Sequence, residues 1–382
     1  MRLLHTSDWH LGRSFHREDL LGAQGRFVDF LVETVRRERV DLVVVSGDVY
    51  DRALPGVDAV LLLNEALRRL VDTGARTVVI SGNHDSASRL GFGAELIDSA
   101  GVHLRTDPAR VGVPVPLEDA YGPVAVYGLP YLEPEAARGQ LDCEARGHAA
   151  VLDAAMQRVR ADSSRRPGTR SVVLAHAFVA GGAGSDSERD ISVGGVSAVP
   201  TNVFAGVDYV ALGHLHGAQA LSPSVRYSGS PLAYSFSEAG HRKSVHLVEL
   251  GARGVVAVES VPCPVPRPLA VLRGRLDDLL TDPGLCGSES AYVQVTLTDA
   301  ERPRDPMERL RRRFPHVLVL TLEPEGGSPG EERSYAERVR GRSDLELALG
   351  FVEHVRRSPA AVAEVRLLQA AFEAARRAEA VR

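Results

Sequence analysis

The sequence predicts an α/β fold of two packed β-sheets flanked by helices, followed by a small α+β cap domain and a C-terminal helical pair. Three observations lead there. Five short, strongly apolar runs each end in a polar cluster. Segments with helical spacing separate the first three runs, and a proline-dense stretch sets off the C-terminal part of the chain.

The five runs are 2–7, 42–46, 77–81, 171–174 and 209–212, bounded by Gly and polar residues. Such runs read as buried strands. Between the first two, Phe27, Phe30, Leu31, Val32 and Val35 recur at helical spacing within 22–39, and 57–70 forms a second such segment before the third run. This strand–helix alternation argues a parallel core. Short alternating strands follow at 111–115, 124–127, 225–228, 244–250 and 255–261, which predict the second sheet. Pro262, Pro264, Pro266 and Pro268, at every second position, forbid helix and central strand alike, so residues 1–262 form the core domain.

Residues 263–324 read as strand 269–272, helix 276–280, strand 292–297, helix 307–314 and strand 317–322. That is a small α+β domain of a size that can fold alone. Residues 325–382 comprise a linker, part of a turn-rich stretch over 323–333, and two amphipathic helices. One carries Leu345, Leu347, Leu349, Phe351, Val352 and Val355; the other carries Val362, Val365, Leu368, Ala371, Phe372 and Ala375. A hairpin with so little domain of its own either docks on the cap or binds a partner.

The polar clusters carry the chemistry. They are Asp8-Trp9-His10, Gly47-Asp48-Val49-Tyr50-Asp51, Gly82-Asn83-His84-Asp85, Ala175-His176 and Gly213-His214-Leu215-His216. Each sits where a strand ends and its loop begins, the place where open α/β sheets build sites. Two divalent ions about 3.5–4 Å apart clamp a phosphoryl group and activate water for in-line attack. Ions that close need a bridging carboxylate, for which Asp48 is the candidate. Asp8, His10, Asn83, His176, His214 and His216 supply oxygen or neutral imidazole, a set without thiolate that suits Mn²⁺, Fe or Zn²⁺. His84 follows Asn83 directly, points elsewhere and is free to protonate a leaving oxygen. Asp51 and Asp85 either orient His84 or cap the helices that follow. The remaining histidines read as structural or surface residues.

These motifs, in this order, resemble the calcineurin-like metallophosphoesterase superfamily. The stretches 185–191, 207–216 and 225–238 narrow the resemblance to the SbcD family of nuclease subunits. The likeness runs from residue 1 to about 250. It implies one Mn²⁺ on Asp8, His10, Asp48 and His216, a second on Asp48, Asn83, His176 and His214, and His84 as the catalytic histidine. Some relatives carry His where this chain has Asp51, and bacterial members resemble it in having Asp. The resemblance also implies a 3′→5′ double-strand exonuclease and single-strand or hairpin endonuclease acting on DNA, with a cap that helps select the substrate. The implied partner is the coiled coil of an SbcC-type ATPase, bound by the C-terminal helices, with the chain a homodimer within a heterotetramer. Two rivals stand beside this reading. A nucleotide or phosphoprotein phosphatase would use the same metals, but the stretches at 185–191 and 228–238 and the two appended modules argue against it. A non-catalytic scaffold is disfavoured because no ligand position is missing.

Composition fits an enzyme in the cytoplasm. Apolar residues make up 44% and charged residues 25% of 382 residues, ordinary for a globular chain. The first strand begins almost at once, leaving no room for a signal peptide, and no apolar run spans a membrane. Cys143, Cys263 and Cys286 are widely spaced and read as reduced thiols. The net charge of −5 is no bar to DNA, because two divalent cations add positive charge where it matters. Lys243 is the only lysine, a bias that reads as genome composition, and the run Arg309, Arg311, Arg312, Arg313 reads as a solvated helix face. Residues 180–187, with three glycines, read as a surface loop or a substrate-side lid. The chain has no Gly-x-x-x-x-Gly-Lys-Ser/Thr loop, so any ATP dependence comes from another chain.

Overall fold

The computed structural model describes residues 1–189, 191, 198–325, 343–356 and 359–379. Asp190 and residues 326–342 of the expected linker lie outside the described residues. The chain divides into two units, Met1–Thr298 with Pro303–Leu322, and Asp299–Arg302 with Glu323–Arg382.

The first unit contains two six-stranded sheets. One runs Gly254–Pro262, Ser244–Gly251, Arg2–Thr6, Leu42–Ser46, Arg76–Ile80, Val102–Arg105 from edge to edge. Its last four strands are parallel, as the strand–helix alternation predicts. The other runs Gln219–Ala220, Val225–Tyr227, Tyr209–Gly213, Arg170–His176, Gly122–Leu129, Val115–Asp119, parallel through its four middle strands.

Alternation along each strand sorts side chains into layers. Leu42 and Val44 join Val172, Leu174, Tyr209 and Ala211 in the core between the sheets. Val43 and Val45 face the other way, onto the helices Leu21–Glu38 and Val57–Val71. Val173 and Ala175 likewise face helix His148–Ser163, which the sequence reading did not place. The result is a helix–sheet–sheet–helix stack whose central strands all deliver their ends to one rim. At the opposite end, Arg170 and the N-terminal amine both pair with Asp119, at 2.5 and 2.6 Å, while Arg170 donates to Gly251 O across the sheets. Those two cations hold the Asp119 carboxyl well below the usual carboxylate range.

One strand differs from expectation. The run 111–115 is not a strand: Val111 is fully buried against the outer helices, and pairing begins only at Val115. Pro114 has no N–H to donate, and the strand that follows is an edge where Pro116 is tolerated.

Within the same unit, Leu269–Gly274, Tyr292–Leu297 and Val317–Leu322 form a three-stranded parallel sheet with helices Leu276–Thr281 and Pro306–Arg313. It has its own core, built around Val293, Val295, Leu297, Leu310 and Phe314. It also packs on loops at the site end: Tyr292, Leu318 and Val319 lie against Phe15, Tyr234 and Phe236. Three of the four arginines of its second helix are paired, Arg309 with Asp277, Arg312 with Glu308 and Arg313 with Glu289.

In the second unit the helices Asp344–Arg356 and Val362–Glu379 pack on each other. Ser343 and Glu346 close a reciprocal capping box, with Ser343 N on Glu346 Oε2 at 2.7 Å and Glu346 N on Ser343 Oγ at 3.4 Å. Phe351, Val355, Val362 and Leu367 are exposed. No described helix is long and apolar enough to cross a membrane.

Candidate metal centre

The five motifs meet at the rim where the parallel strands end. Gly213 pairs with His176 across adjacent strands, so His176 and His214 arrive at the same level. Asp8 and His10 leave the Arg2–Thr6 strand, and Asp48 leaves Leu42–Ser46, with main-chain bonds from Asp8 N to Gly47 O and His10 N to Asp48 O stitching the two loops together. Asp8, His10, Asp48 and His214 all have positive φ, between 46° and 107°, a conformation non-glycine residues adopt at a cost that clusters at functional sites. The glycines make the close approach possible. A Cβ on Gly82 would lie 2.1 Å from Asp48 Oδ1, and one on Gly47, itself at φ +87°, would lie 2.4 Å from His176 Nδ1.

Asp48 is central. Its Oδ2 stands 3.6 Å from His10 Nε2 and 3.5 Å from His176 Nε2, and its Oδ1 accepts His84 N–H at 2.8 Å. His10 Nε2 lies 3.1 Å from His216 Nε2 on one side. On the other, Asn83 Oδ1 lies 2.9 Å from His176 Nε2 and 3.2 Å from His214 Nδ1. Asp8 accepts His214 N–H at 3.0 Å and Ser7 Oγ–H at 2.5 Å. All of these acidic and imidazole side chains are buried. Three overlapping groups bring ligand atoms within 4.8 Å of one another: Asp8, His10 and His216; His10, Asp48 and His84; and Asp8, Asp48 and His176.

The electrostatics say what the cluster wants. Burial raises the Asp8 carboxyl to about 6, against the pull of His176 and His216. Burial pushes Asp48 up as well, but His176 and His10 outweigh it and hold that carboxyl well below its usual range. Burial would lower His176, yet Asp48 and Asp8 raise it to about 9, whereas burial together with His176 drops His214 to about 3. Two buried carboxylates thus draw a proton onto an imidazole for want of other counter-charge. Divalent cations would supply that charge and leave the imidazoles neutral and coordinating. His10 Nδ1, Asn83 Nδ2 and His84 Nε2 are buried polar atoms with no hydrogen-bond partner, as befits a pocket made for something other than protein.

His84 stands slightly apart, its ring edge-on to His10 at 4.7 Å. Its Nδ1 lies 2.8 Å from the main-chain oxygen of Asp51 and donates to it. The Asp51 carboxylate faces His10 Nδ1 at 3.6 Å and Arg13 at 3.7 Å instead. Asp85 accepts N–H groups from Val49, Tyr50 and Gly82, clasping the second and third motifs together. Burial and the Asp48 charge raise its carboxyl to about 7, opposed by those three amides.

Several contributors escaped the sequence reading. Ser187 Oγ lies 2.6 Å from His216 Nδ1 and donates to Glu238, which pairs with Lys243. Arg13 lies over the Tyr234 ring at 4.9 Å, and that ring is edge-on to both His10 and His216. The glycine-bearing loop 180–187 is tied down: Ala183 exchanges hydrogen bonds with Gln219, and Asp186 N donates to Ser237. Four of these contributors, Ser187, Tyr234, Ser237 and Glu238, belong to stretches that carry the family resemblance. The one compositional signal for the others was the solitary lysine.

The site and sheets are those of a metal-dependent phosphoester hydrolase, and a family model described as calcineurin-like phosphoesterase matches residues 1–218, a span that contains every clustered residue from Asp8 to His216. The chain belongs to that family, whose members use a dinuclear metal site. A second model, described as type 5 capsule protein repressor C-terminal domain and labelled for SbcD, matches residues 265–356, and the two together make the chain a phosphoesterase of SbcD type. Among solved structures it is similar to TT1561 of Thermus thermophilus at 15% identity, over 68% of this chain and 98% of that one, with a TM-score of 0.41. It is similar to GAP50, the anchor in the inner membrane complex of Plasmodium, at 12% identity over 86% and 99%, with a TM-score of 0.34. A dimetal phosphatase from Danio rerio is similar at 14% identity over 69% and 99%, with a TM-score of 0.36. With TM-scores this low, the family membership rests on the matched residues.

Proposed function

We propose that this chain is a DNA nuclease subunit that hydrolyses phosphodiester bonds with two divalent cations, most simply Mn²⁺. The observation that carries the reading is one buried cluster, in which Asp48 Oδ2 faces His10 and His176, His216 adjoins His10, Asn83 adjoins His176 and His214, and Asp8 joins them, with Nε2 of His84 left without a hydrogen-bond partner. Asp8, His10, Asp48 and His216 would hold one ion, and Asp48, Asn83, His176 and His214 the other. Two such ions supply positive charge to the phosphoryl oxygens and lower the pKa of an attacking water. The protein's own part is to hold these ligands on rigid strand ends and to place His84 for proton delivery to the leaving oxygen. Activity as a 3′→5′ double-strand exonuclease and a single-strand or hairpin endonuclease is the form this chemistry would take on DNA. The cap, which packs on Phe15 and Tyr234, would help to select the substrate.

The purified full chain should degrade linear duplex DNA in Mn²⁺ and lose that activity on chelation, restored by adding the metal back. Hydrolysis of a generic phosphomonoester at a higher kcat/KM than DNA would favour the phosphatase reading instead.

The C-terminal helices would bind the coiled coil of an SbcC-type ATPase; what supports this is that they pack together yet leave Phe351, Val355, Val362 and Leu367 exposed. Val57, Leu61, Phe92 and Leu96 are exposed in the nuclease unit and would suit self-association as a homodimer. Deleting residues 341–382 should leave Mn²⁺-dependent DNA cleavage intact and abolish capture of the ATPase. Undiminished capture by the truncated chain would remove the helices from that role.

A further inference from the structure

Lys243 is the only lysine among 45 basic residues, and it is buried, 6% exposed. In a chain whose other basic residues are all arginine, a lone buried lysine marks a place where a guanidinium does not serve. Three acceptors converge on its one nitrogen: His216 O at 2.9 Å, Ser230 Oγ at 2.9 Å and the Glu238 carboxylate. An ammonium has three protons on a single atom to meet them, whereas a guanidinium spreads its donors over a plane.

The connection continues inward. Glu238, its side chain wholly buried, accepts the Ser187 hydroxyl at 2.5 Å through its other oxygen. With that proton committed, Ser187 Oγ can only accept from His216 Nδ1, 2.6 Å away. The imidazole proton therefore sits on Nδ1, and Nε2 is bare where it faces His10 Nε2 at 3.1 Å. Glu188 Oε1 accepts the His216 main-chain N–H at 2.7 Å, so the residue is gripped at its amide, its carbonyl and its ring.

We infer that Lys243 is a positioning residue for His216, acting through Glu238 and Ser187 to fix the imidazole's tautomer and direction so that Nε2 is presented as a ligand. The inference rests on the two-ion reading and adds to it the device that prepares one ligand of one ion. Without the ammonium, Glu238 loses its anchor and the Ser187 proton its fixed direction. His216 then samples the tautomer that carries its proton on Nε2, which cannot coordinate.

The test uses the full-length chain as wild type, Lys243→Arg, Lys243→Met and Ser187→Ala, stripped by chelation and titrated with Mn²⁺ by calorimetry, with ion counts at saturation. The wild type should bind two ions. In each variant one ion should keep its affinity and the other should weaken by about 10–100-fold, the usual consequence of losing a ligand's supporting hydrogen bond. Excess Mn²⁺ should then restore kcat. Two ions bound with wild-type affinity in the variants would overturn the inference. Equal weakening of both, with a lowered Tm, would overturn it too, because it would make the lysine a general structural prop. Ser187→Ala removes the hydroxyl that joins Glu238 to the ring but leaves the Lys243–Glu238 pair in place, and so keeps the test decisive if the lysine variants do not fold. A wild type that fails to bind two ions would instead defeat the two-ion reading itself.

Discussion

Asp48→Asn should reduce phosphodiester cleavage by about 10³-fold or more, since removing even one preorganised electrostatic group costs about 10²–10³. The replacement is isosteric, but it leaves no arrangement that satisfies both sides of the residue. In wild type Oδ1 accepts His84 N–H while Oδ2 faces His10 Nε2 and His176 Nε2. If the amide oxygen stays on His84 N–H, the NH₂ group points at the metal ligands and cannot coordinate. If the amide flips, two N–H donors oppose each other at His84. In the first arrangement the one oxygen shared between the two proposed ion sites is lost; in the second it remains but is uncharged, and the opposed donors push it out of place. The fold should survive, because the strands and the inter-sheet core are untouched. Circular dichroism and Tm check that point, while Mn²⁺ counting and DNA turnover check the rest. Near-normal turnover by a variant of native fold would show that Asp48 does not bridge two ions.

Much of this site was legible because its candidate ligands sit at the ends of central strands. Buried parallel strands announce themselves as continuous apolar runs, and a polar residue directly after such a run has few reasons to be there. What was not legible has three physical origins. Main-chain roles leave no trace in residue type: the group that orients His84 is the Asp51 carbonyl, and the Asp85 carboxylate serves three amides. Polar contacts between distant segments have no periodicity. Ser187 reaches His216 from one loop, and Glu238 and Lys243 from the connection between Val225–Tyr227 and Ser244–Gly251, so only the rarity of lysine set one of them apart. Helix His148–Ser163 lies against the second sheet through Val151, Ala155, Met156 and Val159, but its alanines and scattered polar residues blur the apolar stripe. The run 111–115 shows the opposite failure. Alternating valines suggested a strand, yet Pro114 removed the donor a ladder requires, and Val111 serves the core without one.

His84→Ala should still bind two ions yet lose about 10²–10⁴-fold in phosphodiester cleavage, the usual contribution of a positioned general acid. The geometry makes this a sharp question, because His84 shares a potential ligand group with His10 and Asp48 whose atoms all lie within 4.8 Å. Nδ1 donates to the Asp51 carbonyl at 2.8 Å, which leaves Nε2, buried and without a protein partner, as the working atom. Burial lowers the His84 pKa, opposed by Asp48 and the Asp51 carbonyl, so the protonated form needs further negative charge beside it. Leaving-group dependence separates the two roles. If Nε2 delivers a proton, a phosphodiester with a nitrophenolate leaving group needs little protonation and should lose far less activity in the variant than DNA does. If Nε2 instead holds metal, both substrates should fall together, and the ion count should drop from two to one.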